Sequence, residues 1–133
     1  MRGGADKSLA FAAVAFVAAN LLHTADHVRQ GLGGLSATIL VGGSSLTILA
    51  IVVMVMVLRG YPRAPAFAVV VGLSGAVGIA ASHLAPHWSS LSDPYPDLSV
   101  DALSWAVMCA EIAAALLLAI VALRQLARQP QHA

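Results

Sequence analysis

Charge is scarce in this chain. Only 10% of its 133 residues are Asp, Glu, Lys or Arg, while 59% are hydrophobic. A soluble domain carries about a quarter charged residues, and a chain this short has too poor a surface-to-volume ratio to hide so large an apolar excess. The formal charge is +1, so no basic field speaks for a nucleic-acid partner. One cysteine, Cys109, excludes an internal disulfide and leaves compartment unreadable from thiols. Gly31, Gly33 and Gly34 make no phosphate loop, since no strand precedes them and no Gly-Lys-Ser/Thr follows. No nucleophile stands beside a base in a recognisable pattern, so nothing decides whether the chain is an enzyme.

What the sequence has in abundance is apolar runs of bilayer length. Crossing roughly 30 Å of hydrocarbon takes about 20 apolar residues in helix. Four segments qualify: Ser8 to Val28, Leu35 to Leu58, Ala64 to Leu84 and Val100 to Leu123. Glycine and proline punctuate the connections, and a polar tail runs from Arg128 to Ala133. The runs are continuous, whereas a membrane β-barrel requires alternation. Backbone groups in lipid must then be satisfied within each segment, as a helix does. The expected fold is all-α: a single transmembrane domain, built as a four-helix bundle. Val17-Ala18-Ala19 resembles a signal-peptidase site, but the apolar run continues past it, so the first span reads as retained. Small residues, including Gly72, Gly75 and Gly78 in the third span and Ala110 and Ala113 to Ala115 in the fourth, suit close helix approach.

Orientation follows from the cations. Arg2, Lys7, Arg59, Arg63, Arg124 and Arg128 fall on one side of a four-span arrangement and only Arg29 on the other. The positive-inside rule then sets both termini in the cytoplasm, in a cell membrane. Asp26, Asp93, Asp97 and Asp101 gather outside. Trp88, Tyr95 and Trp105 are expected to form an aromatic rim at the outer boundary, with Tyr61 at the inner one.

Ionisable residues within a span are expensive and usually carry a function or find a partner. The first span ends Asn20-Leu21-Leu22-His23-Thr24-Ala25-Asp26-His27. At 100° per residue, Asn20, His23, Thr24 and His27 share one stripe, and Asp26 lies about 60° to the side of His23, within reach of it. A histidine pair at i, i+4 can point both imidazoles at one ion. The third span ends Ser82-His83-Leu84-Ala85-Pro86-His87. Pro86 stops the helix near Leu84 or Ala85, leaving His83 on the helix and His87 in the connection. Both spans run outward, so His23, His27, His83 and His87 reach one depth near the outer face. His132 belongs to the cytoplasmic tail.

Imidazole with carboxylate suits zinc, iron, copper or nickel, not calcium or magnesium. The candidate metal ligands are His23, His27, His83, His87, Asp26 and Glu111. Glu111 lies about 15 Å below the outer end of the fourth helix, at a rise of 1.5 Å per residue. It is expected to face the bundle interior, with Asn20 and His23 as partners, as a deep ligand, a proton-relay group or a link that fixes helix register. There is no Glu-x-x-His, so a carboxylate-bridged di-iron site is not indicated. Asp97, Ser99 and Asp101 suit the cap of the fourth helix. Three functions remain open: a metal site for metal handling or membrane redox chemistry, a b-type haem held by one histidine of each pair, or a non-catalytic accessory or channel-like subunit. The lipid bilayer is the expected partner, and a homo-oligomer or a membrane partner would help so small a bundle to enclose a pathway.

Overall fold

The structure is a computed structural model and describes residues 6–128. Arg2 and His132 lie outside the described residues, as does the tail beyond Arg128. Four helices make the fold: α1 Lys7–Gln30, α2 Ala37–Leu58, α3 Ala64–His83 and α4 Ala102–Arg128. Each is long and apolar enough to cross a membrane.

Local chemistry sets the ends. Asp6 caps α1, its carboxylate accepting from the amides of Ser8 at 2.9 Å and Leu9 at 3.3 Å. Gly31, at φ +96°, turns the chain out of α1. Ser36 caps α2 by accepting from Ile39 N at 3.1 Å. At the far end of α2, Gly60 takes φ +68° and the amide of Tyr61 reaches back to the Met56 carbonyl, the closing pattern of a helix C-terminus. Pro65 opens α3, where a missing N–H does no harm. That helix stops at His83, before Pro86 forbids another turn. Asp101 opens α4, its carboxylate accepting from Ser104 N at 3.0 Å. Past Leu123 the hydropathy falls, but Arg, Gln, Leu and Ala are good helix formers, and α4 continues to Arg128.

Each helix packs against its neighbour in the chain, and α4 closes back on α1. The order around the bundle is therefore α1, α2, α3, α4, with α1 and α3 on a diagonal. Leu9, Phe16, Val53, Val71, Ala115 and Leu118 centre the main core. A second cluster of Ile79, Tyr95 and Met108 lies toward the end where α1 and α3 finish and α4 begins. The α2 helix contributes little to either, burying only Ala50, Val53 and Val57. The outer faces are apolar, with Phe11, Val41, Ile48, Val70 and Val77 all exposed.

The connection from α3 to α4 folds back over the bundle. Asp93 N donates to the Ser82 carbonyl at 2.8 Å, Trp88 Nε1 to the Ala81 carbonyl at 2.8 Å, and Ser36 Oγ to the Ser90 carbonyl at 2.6 Å. A 3-10 turn, Tyr95–Asp97, then inserts Tyr95 among the helices. Tyr95 is 1% exposed, so it is not a rim residue as its neighbourhood in the sequence implies. Trp88 does stay exposed.

Candidate metal centre

Three imidazoles meet at one end of the bundle. His23 and His27 come from the last turns of α1 and His83 from the last residue of α3. One ring nitrogen of each lies within 4.8 Å of the other two. Ring centroids are 4.7 Å apart for His23–His27, 5.0 Å for His23–His83 and 5.4 Å for His27–His83. His23 and His83 are each 5% exposed, and His27 is half-buried. The diagonal placement of α1 and α3 explains the meeting: their backbones stay apart, and side chains as long as imidazole fill the middle.

Two of the rings are backed. The Glu111 carboxylate takes Nδ1–H of His23 at one oxygen and Asn20 Nδ2–H at the other, at 2.7 Å. Thr47 Oγ1 in turn donates to Asn20 Oδ1 at 2.7 Å. Two donors from α1 thus converge on one carboxylate of α4, with Thr47 of α2 behind Asn20, so that Glu111, Asn20 and Thr47 all find partners. That matters where no water can substitute. His83 Nδ1 donates to the Asp93 carbonyl at 3.0 Å, with the Asp93 carboxylate 3.8 Å away. With Nδ1 occupied, Nε2 of both His23 and His83 is left as a lone pair. This is the outer-shell arrangement that orients imidazole ligands on metal ions.

Tyr95 closes the group. Its hydroxyl lies 3.2 Å from His23 Nε2 and donates to that lone pair. Its ring packs 4.6 Å from His83 and 5.6 Å from Trp105, centroid to centroid. Burial is the largest effect on its phenol, pushing the pKa up to about 12. Tyr95 therefore stays a hydroxyl donor across the physiological range.

The remaining candidates fall outside the three-nitrogen group. Glu111 touches His23 at Nδ1, on the side away from the lone pair. Asp26 faces a clasp, accepting from Arg29 Nε at 2.8 Å and Gln30 Nε2 at 2.6 Å. Arg29 also donates to Asp101 Oδ1 at 2.9 Å and Ser104 Oγ at 3.1 Å, tying α1 to the start of α4. His87 is exposed in the connection. Tyr95, Thr47 and Arg29 were not singled out from sequence as members of this region. Thr47 is one hydroxyl among several in α2, and such groups commonly bond their own helix. Thr47 also donates to the Gly43 carbonyl, at 3.1 Å.

The clasp makes a pH prediction. The Arg29 guanidinium holds the Asp101 carboxyl down to about 2 from an ordinary 3.8. A carboxyl lowered on folding stabilises the fold above its unfolded value and stops doing so as pH falls through its folded value. Thermal stability in detergent should therefore lose a small, salt-sensitive contribution between about pH 4 and pH 2, since the pair is solvent-exposed. Arg29→Gln should remove that component of the acid transition.

Comparison of the chain with protein-family models, with curated proteins and with solved structures found no match. The three-imidazole cluster must be interpreted on its own chemistry.

Proposed function

We propose that this chain is a multi-pass membrane protein that binds a transition-metal ion through His23, His27 and His83 near the outer face, for metal handling or redox chemistry at the membrane. The observation that carries this is the pair of buried imidazoles from opposite helices, each with Nδ1 held by an acceptor, so that Nε2 carries the lone pair, met on His23 by the Tyr95 hydroxyl alone. A buried N–H needs an acceptor in any case; what favours ligation is that nitrogens of both rings also meet His27 in one cluster. Nitrogen ligands favour zinc, iron, copper or nickel.

Insertion is supported by the four apolar helices and by their exposed apolar faces. The end that carries Lys7, Arg59, Arg63, Arg124 and Arg128 is the cytoplasmic one by the positive-inside rule. The imidazoles belong to the opposite end. Rings already in contact leave no plane between them for a porphyrin, which weighs against haem held between two of these histidines.

Protein purified in mild detergent, stripped and reloaded with zinc or cobalt, should retain about one equivalent per chain by elemental analysis. His87→Gln should retain it too. The double variant His23→Gln/His83→Gln should bind none, while circular dichroism shows an intact helical fold. A wild-type protein that holds no metal, or a double variant that still does, would remove the reading and leave the accessory-subunit alternative.

A further inference from the structure

Tyr95 has no evident need of a histidine partner. A buried hydroxyl requires one hydrogen-bond partner, and that partner need not be a metal-ligating atom. Here the hydroxyl meets the lone pair of His23, the atom that a metal ion would use. That spacing is an ordinary hydrogen bond, and it fits shared ligation as well. Two donor atoms 3.2 Å apart, each bonded at about 2.0–2.1 Å to one ion, subtend roughly 100° there, close to the tetrahedral angle. Tyr95 stands between Pro94 and Pro96 at the start of its 3-10 turn, and the pairing of Asp93 N with the Ser82 carbonyl anchors the approach to it. The oxygen is therefore held at ligand spacing by the backbone rather than by a mobile loop.

We propose that Tyr95 supplies an oxygen ligand to the ion bound by His23, His27 and His83, making the site a three-histidine, one-phenolate centre matched to ferric iron or cupric copper. This inference rests on the metal reading above. In the metal-free protein a proton lies between Tyr95 Oη and His23 Nε2. On loading, the phenolic O–H bond breaks as the metal–oxygen bond forms, the proton passes to buffer, and the net charge of the loaded centre is one unit lower, with the oxidation state of the ion unchanged. The three nitrogens lie within 4.8 Å of one another; at bonds of about 2.0–2.1 Å to one tetrahedral ion they would stand roughly 3.3 Å apart, a closure of up to roughly 1.5 Å. His27 can make that movement, being half-buried and without a hydrogen bond among the described residues. An anionic oxygen among imidazoles shifts preference from soft ions toward harder, more highly charged ones.

The chain has two tyrosines, and Tyr61 sits beyond the opposite end of the bundle, so the first measurement needs no buried substitution. Tyr61→Phe protein in detergent is loaded with ferric nitrilotriacetate and, in parallel, with cobalt(II). A visible phenolate-to-iron charge-transfer band, with phenolate ring modes in the resonance Raman spectrum excited within it, is the expected result; both can then come only from Tyr95. Tyr95→Phe should abolish the band and lower ferric affinity at least about tenfold, since even outer-shell losses cost 10–100-fold, while cobalt still binds at the histidines. Iron bound with no such band overturns the phenolate ligand and spares the histidine site. Failure to bind either ion overturns both readings together.

Discussion

Glu111→Leu is expected to destabilise the bundle by about 2–4 kcal/mol and to abolish tight metal binding. The substitution removes the acceptor shared by Asn20 Nδ2 and His23 Nδ1, leaving two buried donors without partners. Each such orphan costs roughly 1–3 kcal/mol. A chain unfolded within a membrane still finds partners for its polar groups, which trims the sum. Leucine is apolar and fits lipid, so hydropathy alone predicts the opposite sign. Unfolding by a denaturing detergent, monitored by circular dichroism, decides between them: a Glu111→Leu protein as stable as wild type would show that the carboxylate network contributes nothing.

The conservative variant separates stability from ligation. In Glu111→Gln the amide can accept from only one of its two neighbours. If it accepts from Asn20, its NH2 faces His23 and donates to Nδ1. The imidazole proton must then move to Nε2, the atom that the metal needs. Metal affinity should fall about 10–100-fold, the usual loss for an outer-shell partner, while stability falls by only about 1 kcal/mol, the worth of one hydrogen bond. Nitrogen-15 chemical shifts of the histidine rings would report the tautomer change directly. Glu111 in this account is a positioning residue: it acts on the ion only through His23.

Much of this arrangement could be read from sequence, for reasons that differ by element. Four helices were legible because lipid imposes a length and forbids unsatisfied backbone, so continuous apolar runs admit few other solutions. The convergence on Glu111 was legible from depth: it lies in α4 at the level where Asn20 and His23 lie in α1, and an isolated carboxyl there must find the nearest polar stripe. The orientation of Asp26 was not legible. Helical spacing puts it within reach of His23, but Arg29 and Gln30, three and four positions on, compete for the same carboxylate and hold it. Tyr95 was least legible. A side chain in a proline-framed turn has no periodicity to reveal its direction, and aromatic residues near a boundary ordinarily read as rim. Its burial depends on the connection folding back onto α3 through Asp93 and Trp88, a tertiary fact with no local signature.

The second large effect is expected from a single methyl group. A Cβ on Gly72 would lie 2.7 Å from the Ala115 carbonyl oxygen and 3.0 Å from the Ala119 amide nitrogen, both backbone atoms of α4. Backbone inside a packed helix cannot step aside as a flexible side chain can, so α3 and α4 must separate. Overpacking of this kind costs about 1–3 kcal/mol, and here it also weakens the dispersion contacts along the helix pair that stand in for a hydrophobic drive in lipid. Gly72→Ala should therefore lower the unfolding midpoint clearly. Gly78→Ala in the same helix meets nothing within 4 Å and should be neutral or stabilising by up to about 1 kcal/mol, since alanine is the better helix former. Gly75→Ala belongs between them: its new Cβ meets Phe16 Cζ at 3.1 Å, and a ring can shift. The order Gly72, Gly75, Gly78 tests the packing independently of metal, because helix propensity ranks the three alike and only the approach of α4 and Phe16 separates them. The effect should also reach the site. His83 rides on α3 and Glu111 on α4, so a wedge at Gly72 moves the imidazole from α3 relative to the carboxylate that orients His23. Gly72→Ala should then weaken metal binding and Gly78→Ala should not, although neither residue touches a ligand.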